Sequence, residues 1–500
     1  MKKETIILAL VFLLVLGIRL FLSFQPQTFS SEESYFHLRE IKKIIETGLP
    51  FFHDELSFGG RERVFSPIFD YVIAFFAKTI SFNFATKVIP NLLASLVVLI
   101  IYSIILKITN DSKTALFGAF AGGFIPVFME QTTNVLSSLT IVTPLLLLLT
   151  RLLLSLNSTR SCYFFLATLI ISSFISPLII IFALGILIYL LILKLERIKQ
   201  EKKESEIIFF SIFFILWAQF IVYKRIFMFH GPSIVWQNIP TQILSEYFSR
   251  ITILQGIYEI GMIPFFLGIY AIYKYLFIER KKEEYLIISF SFATGLLLAL
   301  KLIELKTGLM FLGFFLTILF ASWFKNFILF LKKTKFEDFR SLIQIMFVLL
   351  LIATSVYPAY HNTSKNMKFN VEEKEIEALN WLKENSATDS TIFASPEDGN
   401  LINAVAERKN VIDGDFLLVK DAKQRYEDIE KTFTTTSYTD AVETVEKHKS
   451  KYIYLSKNTQ KNFKTDDSAF TKEKCFLEIF DNGVAKIYER VCRMRIYESR

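Results

Sequence analysis

The sequence predicts a polytopic α-helical membrane protein with about eleven transmembrane helices and a C-terminal α/β domain. Hydrophobic residues make up 52% of the 500 residues, and the mean hydropathy of +0.42 is far above that of an average soluble domain. Apolar segments of roughly 20 residues, the length that crosses a bilayer, recur through the first 360 residues. After Tyr360 the chain becomes polar, and helical and strand periodicities alternate.

Eleven apolar segments are the predicted spans. The first has a basic start and a long apolar stretch without a small-residue cleavage site, so it is expected to stay as a membrane anchor. The segments lie at about 5–24, 84–107, 113–130, 135–156, 161–177, 178–195, 206–225, 256–278, 285–303, 307–325 and 342–358.

A twelfth apolar segment, residues 64–82, decides the predicted topology. It is short and contains Pro67 and Asp70, and counting it as a span would place most basic loops outside, against the tendency of Lys and Arg to remain cytoplasmic. We therefore interpret it as a helix in the outer interface. The N-terminus is then cytoplasmic, whereas a first loop at 25–83, a later loop at 230–258 and the tail lie outside.

The predicted domains are a transmembrane domain over 1–360 and an extracytoplasmic α/β domain over 361–500. The net charge of +8 does not predict a nucleic-acid partner, because Lys and Arg cluster in the short loops where they set topology. Membrane lipids are instead the expected surroundings of this cell-membrane protein.

The polar tail is predicted to form a small α/β domain because its helices and strands alternate. Cys475 and Cys492 lie in this tail and can form one disulfide if the tail is exported, which the sequence leaves open. The predicted helices are 371–385, 400–408, about 420–434 and about 438–449, and the predicted strands are 391–394, 410–413, 452–455, 476–480 and 485–490.

The stretch Ser31–Arg39 places several titratable groups directly after the first span. An apolar stripe through Tyr35 and Ile41 predicts a helix that Ser31 caps, and Glu33 and His37 then lie one turn apart. Two interpretations stay open. One is a chemical site, and the other is a solvated interfacial helix whose acids favour its N-terminal dipole.

This stretch resembles the first external loop of the oligosaccharyltransferase catalytic-subunit family, which has the GT-C fold of membrane glycosyltransferases. The matching residues are the run Glu33–Arg39, the Gly48–Pro50 turn and Asp54. The resemblance implies a sugar donor linked to dolichyl or another polyprenyl phosphate, and an acceptor glycan, lipid or protein on the outer face. In this family the acid at the position of Glu33 binds a divalent ion or acts as the catalytic base.

The resemblance also implies roles for other residues. His37 and Arg39 are candidates, beside Glu33, for the catalytic group that contacts the phosphate or the sugar. The further candidates for substrate binding are Tyr35, Asp54, Glu130, Gln237, Asn238 and Lys306.

Several family motifs are missing, and this affects the expected mechanism. The second acidic motif is replaced by residues 134–138, the Thr-Ile-x-Glu motif by 235–238, and the Trp-Trp-Asp-Tyr-Gly motif by 395–399. One carboxylate with scattered amides binds Mg²⁺ or Mn²⁺ poorly, so Glu33 is the one candidate ligand if an ion is used. We therefore favour transfer to a hydroxyl, with Glu33 as the base, over transfer to an asparagine amide.

Two other classes of function stay open. A degenerate relative that acts in glycan binding or assembly, without catalysis, would explain the missing acids. A transporter would place ionisable residues within its spans and show inverted repeats, whereas the polar groups here gather in the loops.

Overall fold

A computed structural model describes residues 2–156, 158–236, 238–249, 251–369, 371–464 and 475–493. Gln237, one of the predicted substrate-binding residues, lies outside the described residues. Most of the described chain is helical. The helices are α1 (Lys2–Ser23), α2 (Glu32–Thr47), α3 (Ile68–Thr79), α4 (Phe82–Ser95), α5 (Val97–Thr109), α6 (Ser112–Gly123), α7 (Pro126–Thr132), α8 (Leu139–Leu153), α9 (Thr159–Ile175), α10 (Ile179–Leu195), α11 (Lys202–His230), α12 (Thr241–Ser249), α13 (Ile253–Ile260), α14 (Met262–Lys274), α15 (Lys282–Ala299), α16 (Leu305–Leu331), α17 (Arg340–Leu351), α18 (Tyr357–Phe369), α19 (Glu373–Asn385), α20 (Pro396–Leu401), α21 (Ala422–Thr434), α22 (Tyr438–Lys447) and α23 (Lys457–Phe463).

The described strands form two sheets. A small antiparallel pair in the first loop joins β1 to β2, and a mixed five-stranded sheet has the order β4-β3-β5-β7-β6, in which β3 is parallel to both of its neighbours. The strands are β1 (His53–Asp54), β2 (Arg61–Glu62), β3 (Thr391–Phe393), β4 (Lys409–Asn410), β5 (Tyr452–Leu455), β6 (Phe476–Asp481) and β7 (Lys486–Arg490).

The chain forms two compact units. The membrane unit comprises Met1–Pro26, Phe76–Lys224 and Ser245–Asn366, and the α/β unit comprises Gln27–Phe75, Arg225–Leu244 and Met367–Arg500. The first-loop helix α2 and most of the first loop therefore belong to the same unit as the tail. The predicted extracytoplasmic position of that unit stays a prediction.

The membrane unit holds the apolar helices. Every one of the eleven predicted spans overlaps a helix of the structure. By length and apolar composition, six described helices can cross a membrane, or seven if α6 and α7, bent by 52° at their junction, form one span. The protein is thus an integral membrane protein, whereas the number of eleven spans stays a prediction. The six are Lys3–Ser23, Phe82–Thr109, Lys202–Leu244, Met262–Glu279, Leu305–Leu331 and Arg340–Met367.

Helix α3 corresponds to the ambiguous segment at 64–82. It has 12 residues, so it is about 18 Å long, well short of the roughly 30 Å of a bilayer core. Its length therefore agrees with the interpretation that this segment does not span.

Helix α16 is the best-buried span of the membrane unit. It packs against six neighbouring helices, and Gly268 of α14 permits one close approach, because an added Cβ there would lie 2.8 Å from the backbone oxygen of Leu316. The packed neighbours are α5, α6, α7, α13, α14 and α15.

The α/β unit follows the predicted alternation, with three corrections, of which the first is the helix α23, absent from the predicted elements. The helix predicted at 400–408 begins earlier, at Pro396, because proline fits the first turn of a helix and Ser395 precedes it. It ends in a π-turn before Glu407, whose φ of 54° stops the helix. The strand predicted at 410–413 covers only Lys409–Asn410, since the Asp413 side chain turns toward the first loop instead.

The core of the α/β unit unites residues from distant parts of the sequence. Phe58 of the first loop is buried against the sheet residues Phe393 and Tyr488. Cys475 and Cys492 form a disulfide beside this core, which settles the pairing that the sequence left open.

The later loop at 230–258 is largely helical. It contains a 3₁₀ turn at Gly231–Trp236, then α12, and then α13, which Thr252 caps through a reciprocal hydrogen-bond pair with Gln255. The later loop, which the sequence predicts to lie outside, therefore consists mainly of short helices.

Candidate active site

The first-loop helix α2 carries the three predicted catalytic residues, Glu33, His37 and Arg39. Glu32 and Glu33 occupy its first turn, where carboxylates favour the positive end of the helix dipole. Ser31 stands at the N-cap with an extended backbone, but its side chain makes no capping hydrogen bond, so that detail of the prediction is wrong. Gly48 closes the helix in the left-handed conformation with a φ of 79°.

His37 lies between two carboxylates. Its Nδ1 is 2.6 Å from the Oδ1 of Asp70, and its Nε2 is 3.5 Å from the Oε1 of Glu33. The side chains of His37 and Asp70 are buried, whereas that of Glu33 is 51% exposed. The helical spacing predicted the Glu33 contact, but Asp70 comes from α3, 33 residues away. The result is an Asp70–His37–Glu33 chain that runs from the interior to an accessible carboxylate.

The two carboxylates keep the imidazole charged. Burial by itself lowers the pKa of His37, but the charge and hydrogen bond of Asp70, with a contribution from Glu33, outweigh it and raise this pKa to about 10. A buried imidazolium held by Asp70 can donate its second N–H toward Glu33, which fixes the direction of that carboxylate.

The raised pKa of His37 predicts that stability falls in alkaline solution. A histidine whose folded pKa exceeds its unfolded value of 6.5 stabilises the fold fully below that value, and this stabilisation is lost as the pH rises toward about 10. We expect the thermal unfolding midpoint of the detergent-solubilised protein to fall between pH 7 and 10. The unfolding midpoint of a His37→Gln variant should change less between pH 7 and 10. An equal change in both proteins would contradict a raised pKa of His37.

Arg39 and Asp54 form a buried ion pair. The guanidinium of Arg39 donates two hydrogen bonds to the Asp54 carboxylate, at 3.0 and 2.9 Å. The Nε of Arg63 lies 3.2 Å from the same carboxylate, and its guanidinium stacks 4.4 Å from the centre of the Phe36 ring. Asp54 is therefore shared by two arginines, and the Arg39 side chain is only 9% exposed.

A second group of ion pairs joins the first loop to the tail sheet. Arg61 contacts Asp413 at 3.2 Å and Asp415 at 3.1 Å, and the Ser57 hydroxyl donates to Asp413 at 2.5 Å. These contacts link residues more than 350 positions apart in sequence. They fix the first loop against the tail within the α/β unit.

Glu32 contacts the tail. Its Oε1 accepts hydrogen bonds from the Asn400 amide at 2.7 Å and the Gly414 backbone N–H at 3.3 Å. Burial, reinforced by the charges of Asp413 and Glu397, raises the pKa of Glu32 well above its usual range. Of the two adjacent acids, Glu33 is thus the accessible one and Glu32 joins α2 to the tail.

The other predicted residues of this unit have structural contacts. Tyr35 is buried, with its ring edge-on to that of Phe29, and burial raises its pKa. The Asn238 amide donates to the Val419 carbonyl at 2.7 Å. The proposed roles of Tyr35 and Asn238 toward a substrate stay untested.

The membrane unit contains a separate charged cluster. Lys306 at the start of α16 donates to the Oε1 of Glu130 on α7 at 2.7 Å. Two predicted substrate-binding residues are therefore in direct contact. Glu259 of α13 lies within electrostatic range of both, and its Oε2 is buried without a hydrogen-bond partner. Sequence reasoning missed Glu259, because it is a single acid near the start of an apolar segment. The contact of α7, α13 and α16 is what brings these groups together.

The donor groups around Glu33 do not fit a tight divalent-metal site. No cluster of three or more His, Cys, Asp or Glu side chains suited to a metal ion occurs within the described ranges. Glu33 lies 3.5 Å from the Nε2 of His37, and an imidazolium has no lone pair for a metal. We therefore derive no catalytic step through Mg²⁺ or Mn²⁺.

Comparison by sequence found no relative. No protein-family profile matches the chain, and no curated protein is significantly similar in sequence. Comparison of structures did find similar proteins.

The chain is similar to the oligosaccharyltransferase of Archaeoglobus fulgidus in its apo form, with a TM-score of 0.68 and 14% identity over 91% of this chain and 70% of that one. It is also similar to AglB of the same organism in complex with an inhibitory peptide and a dolichol-phosphate, with a TM-score of 0.60, 14% identity, and coverage of 90% and 70%. A third similar structure is ArnT of Cupriavidus metallidurans bound to undecaprenyl phosphate, with a TM-score of 0.55, 10% identity, and coverage of 96% and 97%.

Proposed function

Because this chain has the GT-C fold, we propose that it is a membrane glycosyltransferase that moves a sugar from a polyprenyl-phosphate donor to an acceptor hydroxyl. The observation that carries the proposal is the Asp70–His37–Glu33 chain, which ends in an accessible carboxylate. Structures similar to this one hold dolichol-phosphate or undecaprenyl phosphate. Those ligands support a donor of the same chemical class here.

Glu33 is the proposed general base. A carboxylate within hydrogen-bond reach of an acceptor hydroxyl can take its proton as the oxygen attacks the anomeric carbon. The bond from that carbon to the phosphate oxygen breaks as the new glycosidic bond forms, and the polyprenyl phosphate leaves with the electron pair. Attack from the face opposite the leaving group inverts the anomeric carbon. His37 would act as a positioning residue that orients Glu33.

The leaving phosphate requires positive charge. Arg39 was the first candidate from the sequence, but both of its Nη atoms are already bonded to Asp54 and its side chain is nearly buried. Lys306 of the membrane unit is a separate candidate: its ammonium donates to Glu130, but 32% of its side chain is exposed, and an ammonium can bind phosphate as a point charge. We propose each role separately, and single variants of Lys306 and Arg39 test them.

An outer-face reaction is supported by the disulfide. Cys475–Cys492 belongs to the α/β unit that carries Glu33. Disulfides persist mainly in oxidising compartments outside the cytoplasm. We therefore propose that the α/β unit, and Glu33 with it, faces the extracytoplasmic side.

The direct test is transfer from a radiolabelled polyprenyl-phosphate sugar by the purified protein in detergent. The acceptor panel should contain hydroxyl acceptors (free sugars and glycolipids) and a peptide with an Asn-x-Thr site. We expect labelled product with a hydroxyl acceptor and none with the peptide. Tight binding of the donor without transfer to any acceptor would instead support the degenerate, non-catalytic alternative.

Removal of divalent ions is expected to leave most of the activity. The accessible carboxylate stands beside an imidazolium, which supplies positive charge without a metal ion, and we propose that the base does not depend on one. Initial rates with EDTA and with added Mg²⁺ or Mn²⁺ should agree within about a factor of two. A loss of transfer in EDTA that Mn²⁺ restores would show that a metal site forms with the substrate.

A further inference from the structure

Arg19 is a fully buried cation in the first membrane helix without a carboxylate partner among the described residues. Its Nη2 donates to the Thr132 hydroxyl at 2.6 Å, and its Nη1 contacts the Met129 sulfur at 3.2 Å. The guanidinium lies 5.0 Å from the centre of the Phe128 ring, and its Nε has no hydrogen-bond partner. A guanidinium with five N–H donors is thus held by one hydroxyl, one thioether and one ring.

These contacts do not balance a buried charge. Burial of an ion is costly unless a counter-charge and hydrogen bonds compensate it, and thioether sulfur is a weak acceptor. The nearest acid along α7 is Glu130, which is already paired with Lys306. Ionisable groups inside membrane segments usually mark a functional site.

Two further polar side chains, Ser23 and Lys87, lie at the same end of α1. The hydroxyl of Ser23, one turn after Arg19, is buried without a hydrogen-bond partner. A second cation, Lys87, donates to the carbonyl oxygens of Ser23 and Pro26 at 2.8 and 2.5 Å. Arg19 is four residues before the end of α1, about 6 Å along the helix axis.

An apolar cavity of about 270 Å³ adjoins the buried guanidinium. Met129 lines this cavity and also contacts Arg19, so a rotation of its flexible side chain would open the guanidinium to the cavity. Ile18 of α1 and the lining residues between Ile352 and Tyr360 belong to segments that leave many apolar side chains exposed, as lipid-facing helices do. The lining residues are Ile18, Phe124, Met129, Ile352, Val356, Tyr357 and Tyr360.

We propose that this is a binding site for an anionic glycerophospholipid of the surrounding bilayer. The lipid phosphate would replace the Met129 sulfur as the acceptor for Arg19, and one acyl chain would fill the cavity. A bilayer lipid fits because the cavity lies between helices with exposed apolar surfaces and because a phosphate supplies the absent negative charge. This site is independent of the proposed glycosyl transfer.

The test is native mass spectrometry of the purified protein with added phosphatidylglycerol, phosphatidylcholine or a polyprenyl monophosphate. We expect the wild type to retain phosphatidylglycerol and the zwitterionic lipid to bind at least 10-fold more weakly. Arg19→Gln should weaken phosphatidylglycerol binding at least 10-fold. The matched control is Arg151→Gln, since Arg151 is another arginine of an apolar helix, bonded to Ser155.

A second variant tests the same site in case the Arg19→Gln protein does not fold. Val356→Phe narrows the cavity without changing any charge, and it should also weaken phosphatidylglycerol binding. Binding that is unchanged in both variants would overturn the proposal. Tighter binding of the polyprenyl monophosphate, with displacement of phosphatidylglycerol, would also overturn it and assign the site to the isoprenoid lipid.

Discussion

Replacing Glu33 with glutamine is expected to lower the turnover of glycosyl transfer by about 100- to 10,000-fold, the usual contribution of a general base. Glutamine keeps the size and the hydrogen-bonding oxygen of the side chain but cannot take a proton from the acceptor hydroxyl. Donor binding should change little, because the substitution removes the base and not the cation that binds phosphate. The measurement is the initial rate of sugar transfer at saturating donor, together with a donor-binding assay.

Glu46→Gln is the matched control for Glu33, since Glu46 is an exposed acid on the same helix α2. Its variant should keep the wild-type rate. A Glu33→Gln protein that retains more than about a tenth of the wild-type rate would exclude Glu33 as the base, because such a loss is smaller than general-base catalysis explains. In that case Glu259 and Glu130 of the membrane unit become the next carboxylates to test.

Replacing Asp54 with asparagine is expected to destabilise the protein by about 3–5 kcal/mol, the usual cost of removing one partner from a buried ion pair. Asp54 is 1% exposed and compensates both Arg39 and Arg63. Burial alone would raise the pKa of Asp54, but the two arginines hold it well below its usual range. Its stabilisation is therefore complete at neutral pH and is lost only as the pH falls below about 4 toward the lowered pKa.

Glu62→Gln provides the control for Asp54. Glu62 contacts Arg225 at 2.9 Å, but both side chains of this pair are largely exposed, at 45% and 62%. Exposed ion pairs contribute about 0–1 kcal/mol, so this variant should unfold near the wild-type midpoint. The comparison requires denaturant unfolding of both variants in the same detergent. Equal midpoints for both variants would show that the Asp54 pair contributes no more than a surface contact.

The periodicity of the sequence predicted the position of most helices and strands. The stripe through Tyr35 and Ile41 predicted α2 and its two acidic residues, and the run at 452–455 predicted β5 to the residue. Both depend on local backbone hydrogen bonds and on which side of an element is buried. The helix predicted at 400–408 was displaced because Pro396 was not used as its start signal.

The candidate site was only half predictable. Glu33 and His37 are one helical turn apart, so their contact follows from the sequence alone. The sequence could not predict that Asp70 pairs with His37 or that Asp413 pairs with Arg61. Several acids were equally good candidates for each partner. Glu259 was missed because a single acid near the start of an apolar segment gives no sign of its partners.

By itself, the amino-acid sequence determined that this is a membrane protein with an α/β tail and a chemically rich helix after its first span, since apolar length and periodicity are local properties of the chain. Only the tertiary structure decided which charges are paired. It buries Arg39 against Asp54, leaves Glu33 accessible and encloses Arg19 with no acidic partner in the described part of the chain. The physical reason is that the pKa and the interaction energy of a charged group depend on its burial and on partners distant in sequence. Tertiary packing sets both.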